Sequence, residues 1–230
     1  MNMDNDRELL ELLQVKIWCE RSGRNPKDFG QICCQSERNS ATNSFAELEK
    51  KIRNCRACPL HTTRTKVVVG SGDQKAKLVL VGEAPGRNED LAGEPFVGRA
   101  GKLLTSMLAS IEIERHEVYI CNVLKCRPPN NRDPSTTEVA LCRQHLEDQL
   151  REINPRLILA LGRVAGSFLI GCNLPLHVMR SNMHYYGTEQ IPLLVTFHPS
   201  FLLRSPDYKK VAYGDLLRMK KIYLELLKKD

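Results

Sequence analysis

Nine cysteines stand in a chain of 230 residues, and four are placed where they can hold metal. Cys55 and Cys58 form a C-x2-C pair, and Cys126 and Cys142 follow, one at the exit of an apolar run and one in a helical stretch. Two thiolates on a tight turn plus two more make a four-thiolate donor set, which suits either zinc or an iron-sulfur cluster of the 4Fe-4S type. The remaining thiols, Cys19, Cys33, Cys34, Cys121 and Cys172, are read as free. With no export signal in view, a disulfide framework is not expected.

A second set of residues points to ligand binding. The apolar run Leu78 to Val81 stops at Gly82, and residues 82–98 then bring together Glu83, Gly86, Glu89, Asp90 and a lone aromatic, Phe96. In open α/β sheets ligands bind beyond the carboxyl ends of the strands, which is where this loop falls. It has neither the G-x-G-x-x-G spacing nor a closing Gly-Lys-Ser/Thr, so a nucleotide-phosphate cradle is not expected. Two more polar residues end apolar runs in the same way: Asn122, within Val118 to Leu124, and His198, after Ile191 to Phe197.

These residues need a scaffold, and the apolar pattern supplies one. Four runs read as buried strands, at 78–81, 118–124, 157–161 and 191–197. Helical stretches separate them: Arg99 to about Ile111, a capping-box start at Ser135 and Glu138 running to about Glu152, a helix from Gly162 to near Gly171, and a last one from about Asp207 to Leu227. Ser44 and Glu47 repeat the capping-box spacing ahead of a short helix, 45–54, that runs into Cys55. The prolines of 125–135 exclude regular structure there, and Gly70 to Asp73 reads as a turn. Strands alternating with helices predict an α/β fold, a three-layer α/β/α sandwich around a mainly parallel four-stranded sheet. Upstream, Leu10, Leu13 and Ile17 share one helical stripe, and residues 35–44 read as a linker. Residues 1–43 are therefore expected to be a helical extension and 44–230 the main domain.

Composition narrows the partners. No apolar run approaches the ~20 residues of a membrane helix and no secretory signal opens the chain, so an intracellular, cytoplasmic protein without membrane contact is expected. A net charge of +7 and a pI near 9.0 favour a polyanionic partner.

The motifs Gly82-Glu83-Ala84-Pro85-Gly86, Glu89-Asp90, Gly93 to Gly98, Asn122 to Pro129 and His198-Pro199-Ser200, together with the cysteine quartet, occur in one order across about residues 45–225. In this they resemble the family 4 uracil-DNA glycosylases. The resemblance implies a 4Fe-4S cluster on Cys55, Cys58, Cys126 and Cys142, and hydrolytic removal of uracil from DNA during base excision repair. It also implies an active-site carboxylate at Glu89, a uracil pocket that includes Glu83, and Ala84 where family 1 enzymes carry a water-handling aspartate.

The chemistry of the residues is consistent with that role. Phe96 offers a face for a flipped base. The amide of Asn122 can accept from uracil N3–H and donate to O4, a pattern that cytosine inverts. His198 can donate to uracil O2 as the base departs with negative charge. Lys125, Arg127, Ser200 and Arg204 are expected to meet DNA phosphates, and Phe201 or Leu202 to wedge into the duplex. The chain is expected to act as a monomer on uracil-containing DNA, with a repair or replication partner for its N-terminal extension.

Three other readings stay open at this level. The chain could be a non-hydrolytic or covalent uracil-DNA binder, although residues 125–135 hold no histidine to trap the sugar. It could be an iron-sulfur redox protein, or a zinc-stabilised DNA-binding module without catalysis.

Overall fold

The computed structural model describes residues 45–228, all within one unit of the chain. The stripe of Leu10, Leu13 and Ile17, the linker and the Ser44 cap lie outside these residues, as do Cys19, Cys33 and Cys34. Six strands form one sheet: β1 (Ser71–Gly72), β2 (Leu78–Gly82), β3 (Tyr119–Asn122), β4 (Leu157–Leu161), β5 (His184–Tyr186) and β6 (Ile191–Thr196). Their order is β1-β3-β2-β4-β6-β5. The central four, β3, β2, β4 and β6, run parallel, whereas β1 and β5 are antiparallel edges. The parallel strands are the four that the apolar runs predict. The edge strands, two and three residues long, are too short for any periodicity to announce, and β1 falls within the expected Gly70 to Asp73 turn.

Every residue of β2 and β4 is buried, as expected of strands covered on both faces. Helices α3 (Arg99–Ala109) and α8 (Lys209–Leu227) cover one face, where Leu104, Leu108, Leu216 and Met219 pack on Leu78, Leu80, Leu159 and Leu161. On the other face α4 (Thr136–Ile153) sends Gln149 to the Tyr119 hydroxyl, and α5 (Arg163–Ile170) lays Gly166 against Val195. The three layers follow from this alternation along each strand. A short N-terminal helix, α1 (Phe45–Arg53), packs on α4.

The start of α4 matches its sequence signal. Ser135 and Glu138 exchange the two capping-box hydrogen bonds, and Asn154 closes the helix in a left-handed conformation. The loops hold helices too short to predict: α2 (Arg87–Ala92), α6 (Leu176–Ser181) and α7 (Pro199–Arg204). The proline-rich stretch keeps one 3-10 turn, Pro129–Asn131. Another at Pro206–Tyr208 delays the last helix to Lys209.

From β2 the chain moves out to β3, and from β4 it moves the other way to β6. The change of direction opens a crevice at the carboxyl ends of β2 and β4, the usual ligand position in such sheets.

Candidate active site

Three side chains meet at this crevice because two glycines leave room for them. In the parallel register Gly82 stands beside Asn122. A methyl group on Gly82 would lie 2.4 Å from Asn122 Oδ1 and 2.7 Å from the Phe96 ring. On β4's exit a methyl on Gly162, where φ is +93°, would lie 2.9 Å from His198 Cβ. The rings of Phe96 and His198 are 5.6 Å apart, centroid to centroid. Asn122 is buried and its Oδ1 has no hydrogen-bond partner. Such an atom is costly to leave unmet, so the site is built to take a donor from outside.

His198 caps α7, and its Nδ1 accepts from the Ser200 amide at 3.1 Å. The Ser200 hydroxyl lies 2.8 Å from the same nitrogen, to which it donates. With Nδ1 accepting, a neutral ring carries its proton on Nε2. Burial, reinforced by the charge of Arg204 and opposed by that of Glu89, holds the ring's pKa near 4. The histidine is therefore a neutral hydrogen-bond donor at physiological pH.

The carboxylates of the loop divide their work. Glu89 Oε1 accepts from the amides of Val97 and Gly98 at 3.0 and 2.8 Å, pinning the segment that carries Phe96. Its Oε2 lies 2.7 Å from where a side chain on Gly86 would begin, which explains a glycine there. Asp90, buried, accepts from the amides of Thr65 and Lys66 and ties the cysteine-bearing segment to the loop. Glu83 is half-buried, and burial with help from Asp133 raises its pKa against the pull of Arg163. Ala84, partly buried, packs on one side against the cluster of Leu60, Leu124, Cys126 and Cys142.

The four cysteines gather around one cavity, from the turn after α1, the exit of β3 and the first half of α4. Among the described residues no three His, Cys, Asp or Glu side chains stand close enough to hold a single ion. The donor set nevertheless suits a polythiolate centre, because positive groups face it. Arg64 Nη1 donates to Cys126 Sγ at 3.1 Å, and the Lys125 amide donates to Cys142. Even with that help burial favours the neutral thiol: Cys142 is pushed up to about 11 against the pull of Lys125, and Cys126 is raised against that of Arg64.

The expected DNA contacts need correction at four positions. Lys125 is only 1% exposed, and its ammonium donates to the Asn122 carbonyl at 2.8 Å and to Gln149 Oε1. It cannot reach a phosphate, and it braces the strand end that carries Asn122. Leu202 is buried in the main core, and Phe201 is held in a three-ring cluster, stacked on Phe197 and edge-on to Tyr208, so neither is free to wedge. The hydroxyl proton of Ser200 is committed to His198. Arg204 is exposed and Arg127 is half-exposed, with its Nε on Asn131. Sequence reasoning missed Gly162, Gln149, Arg64 and His145. Of these only Gly162 carried a signal, a glycine just past an apolar strand.

A family model described as the uracil DNA glycosylase superfamily matches residues 69–217. A Type-4 uracil-DNA glycosylase of Archaeoglobus fulgidus is 45% identical over 182 residues, which cover 76% of this chain and 92% of that protein. Its counterpart in Thermotoga maritima is 45% identical over 177 residues, covering 75% and 91%. That of Sulfurisphaera tokodaii is 38% identical over 187 residues, covering 78% and 85%. With the three-layer sheet, the strand-end crevice and this extent of identity, the chain belongs to the uracil DNA glycosylase superfamily.

Proposed function

We propose that the chain flips uracil out of DNA and hydrolyses its N-glycosidic bond, leaving an abasic site and free uracil. The observation that carries this reading is the buried, unpartnered Oδ1 of Asn122 beside the Phe96 ring. Uracil N3–H supplies the donor that this atom lacks, and the amide nitrogen can return a bond to O4. Cytosine has no proton at N3 and offers an amino donor at C4, so both contacts fail and the amide stays unmet. The base stacks on Phe96. His198 Nε2–H donates to O2, stabilising the anion that forms as the bond breaks. Glu89 puts negative charge near the histidine, where it suits a sugar with oxocarbenium character. Arg127 and Arg204 meet phosphates, aided by the net charge of +7. The glycosylase domain is assigned to residues 44–230.

Release of free uracil from a uracil-containing oligonucleotide, followed by strand cleavage in alkali, tests the activity. Tight binding without release would favour a non-hydrolytic binder.

The same reading assigns a 4Fe-4S cluster to Cys55, Cys58, Cys126 and Cys142. What supports it is four thiols of three chain segments on one cavity, faced by Arg64 and Lys125. When bound, the cluster supplies metal-thiolate bonds that cross-link those segments. Purified protein should be brown with about four irons per chain. Stoichiometric zinc in anaerobically prepared protein would count against it.

A further inference from the structure

One group on the cysteine cavity is used by neither the thiols nor the base pocket. His145 lies three residues after Cys142 on α4, is buried, and lines the cavity that the four cysteines share. Residues three apart on a helix present neighbouring side chains. The His145 Nδ1 is enclosed and has no hydrogen-bond partner in the protein. A buried ring nitrogen left unmet is costly, so an orphan on the wall of a ligand cavity marks a contact that the ligand completes.

Two neighbours already aim donors at the thiols, Arg64 at Cys126 and the Lys125 amide at Cys142. We infer that His145 is the third: its Nδ1–H donates to a sulfur of the cluster or of a ligating thiolate, and so tunes the cluster's reduction potential and iron retention. The inference rests on the cluster assignment above. Reduction adds negative charge that spreads onto the sulfurs, and a donor aimed at them favours the reduced state. The ring thereby acts as a positioning and tuning group rather than as a ligand.

The test compares wild type, His145→Phe, which keeps the bulk without the donor, and His145→Gln, which keeps an N–H. A redox titration followed by visible absorption should move to more negative potential in His145→Phe. Iron should pass to a chelator about tenfold faster in that variant, the lower end for loss of an outer hydrogen bond to a metal site. His145→Gln should recover most of both changes. A wild type without iron would overturn the cluster assignment and this inference with it. A wild type with about four irons beside a His145→Phe protein of unchanged potential would overturn this inference alone. If His145→Phe fails to load, His145→Gln decides: near-wild-type potential supports the donor, and failure of both variants assigns the ring to packing and overturns it.

Discussion

Only Phe197 separates Thr196 from His198, yet the polar groups around them end in opposite situations. Behind β6, Arg180 holds both oxygens of Asp215 at 2.8 Å, and Thr196 donates to the same carboxylate at 2.7 Å. The guanidinium also lies 4.1 Å from the Phe197 ring centroid. Every strong group there is met from within the protein. At the crevice, Asn122 Oδ1 is as well enclosed and met by nothing. The difference separates scaffold from reader: a satisfied buried network holds its strand in place, and an unsatisfied one waits for a molecule that completes it.

The comparison can be broken from either side. Asp215→Ala strips one partner from the satisfied site and should cost about 3 kcal/mol of stability, the low end for a largely buried pair. Urea unfolding measures it, and a loss below about 0.5 kcal/mol would place the pair with ordinary surface ion pairs. His198→Ala should leave the fold intact and lower single-turnover uracil excision by roughly 10²-fold, the scale of losing one donor to a developing anion. Affinity for uracil-containing DNA should change much less, because phosphate contacts dominate binding. Weakened binding with wild-type chemistry would make the histidine a DNA contact. Asn122→Asp keeps an acceptor for N3–H and loses the donor for O4, so excision should fall by at least ~10-fold. Unchanged kinetics would remove Asn122 from base reading.

The smallest expected effect is an absence of pH dependence. His198 is held near 4, well below its unfolded value of about 6.5. For a base with a lowered folded pKa, the unfolded chain binds more protons between those values, so stability falls as pH drops through that window. The ring stays neutral above it. Single-turnover excision should therefore show no histidine inflection between about pH 8 and about pH 5.5. A break near the ordinary histidine value would mean that the ring is solvated.

Much of this arrangement is legible in the chain before any coordinates. The parallel strands are apolar runs of Val, Leu and Ile bounded by glycine or polar residues, and burial on both faces demands that composition. Asn122 and His198 announce themselves as polar residues at the ends of apolar runs, and Phe96 as a lone aromatic in a polar loop. The environment of each charge is harder to read. Lys125 and Arg127 look equally basic in Leu124-Lys125-Cys126-Arg127, and only the arrival of Gln149, twenty-four residues further on, buries the first. Leu202 and Phe201 follow the histidine as a wedge would, but the apolar side of a short helix turns to the core. Asp90 reads as half of an acidic pair and proves to be a brace, because its partners are backbone amides that no side-chain pattern records.

Phe96 has a backbone φ of 53°, a left-handed conformation for a bulky residue. Gly101 permits it, since a methyl there would strike the Phe96 carbonyl oxygen. The conformation costs about 1–3 kcal/mol and persists only while its surroundings enforce it. The two bonds from Glu89 to the amides of Val97 and Gly98 are that enforcement. The ring proposed as the stacking platform thus keeps its unusual backbone on the strength of one carboxylate: cutting the Glu89 bonds removes the hold on the positive φ of Phe96.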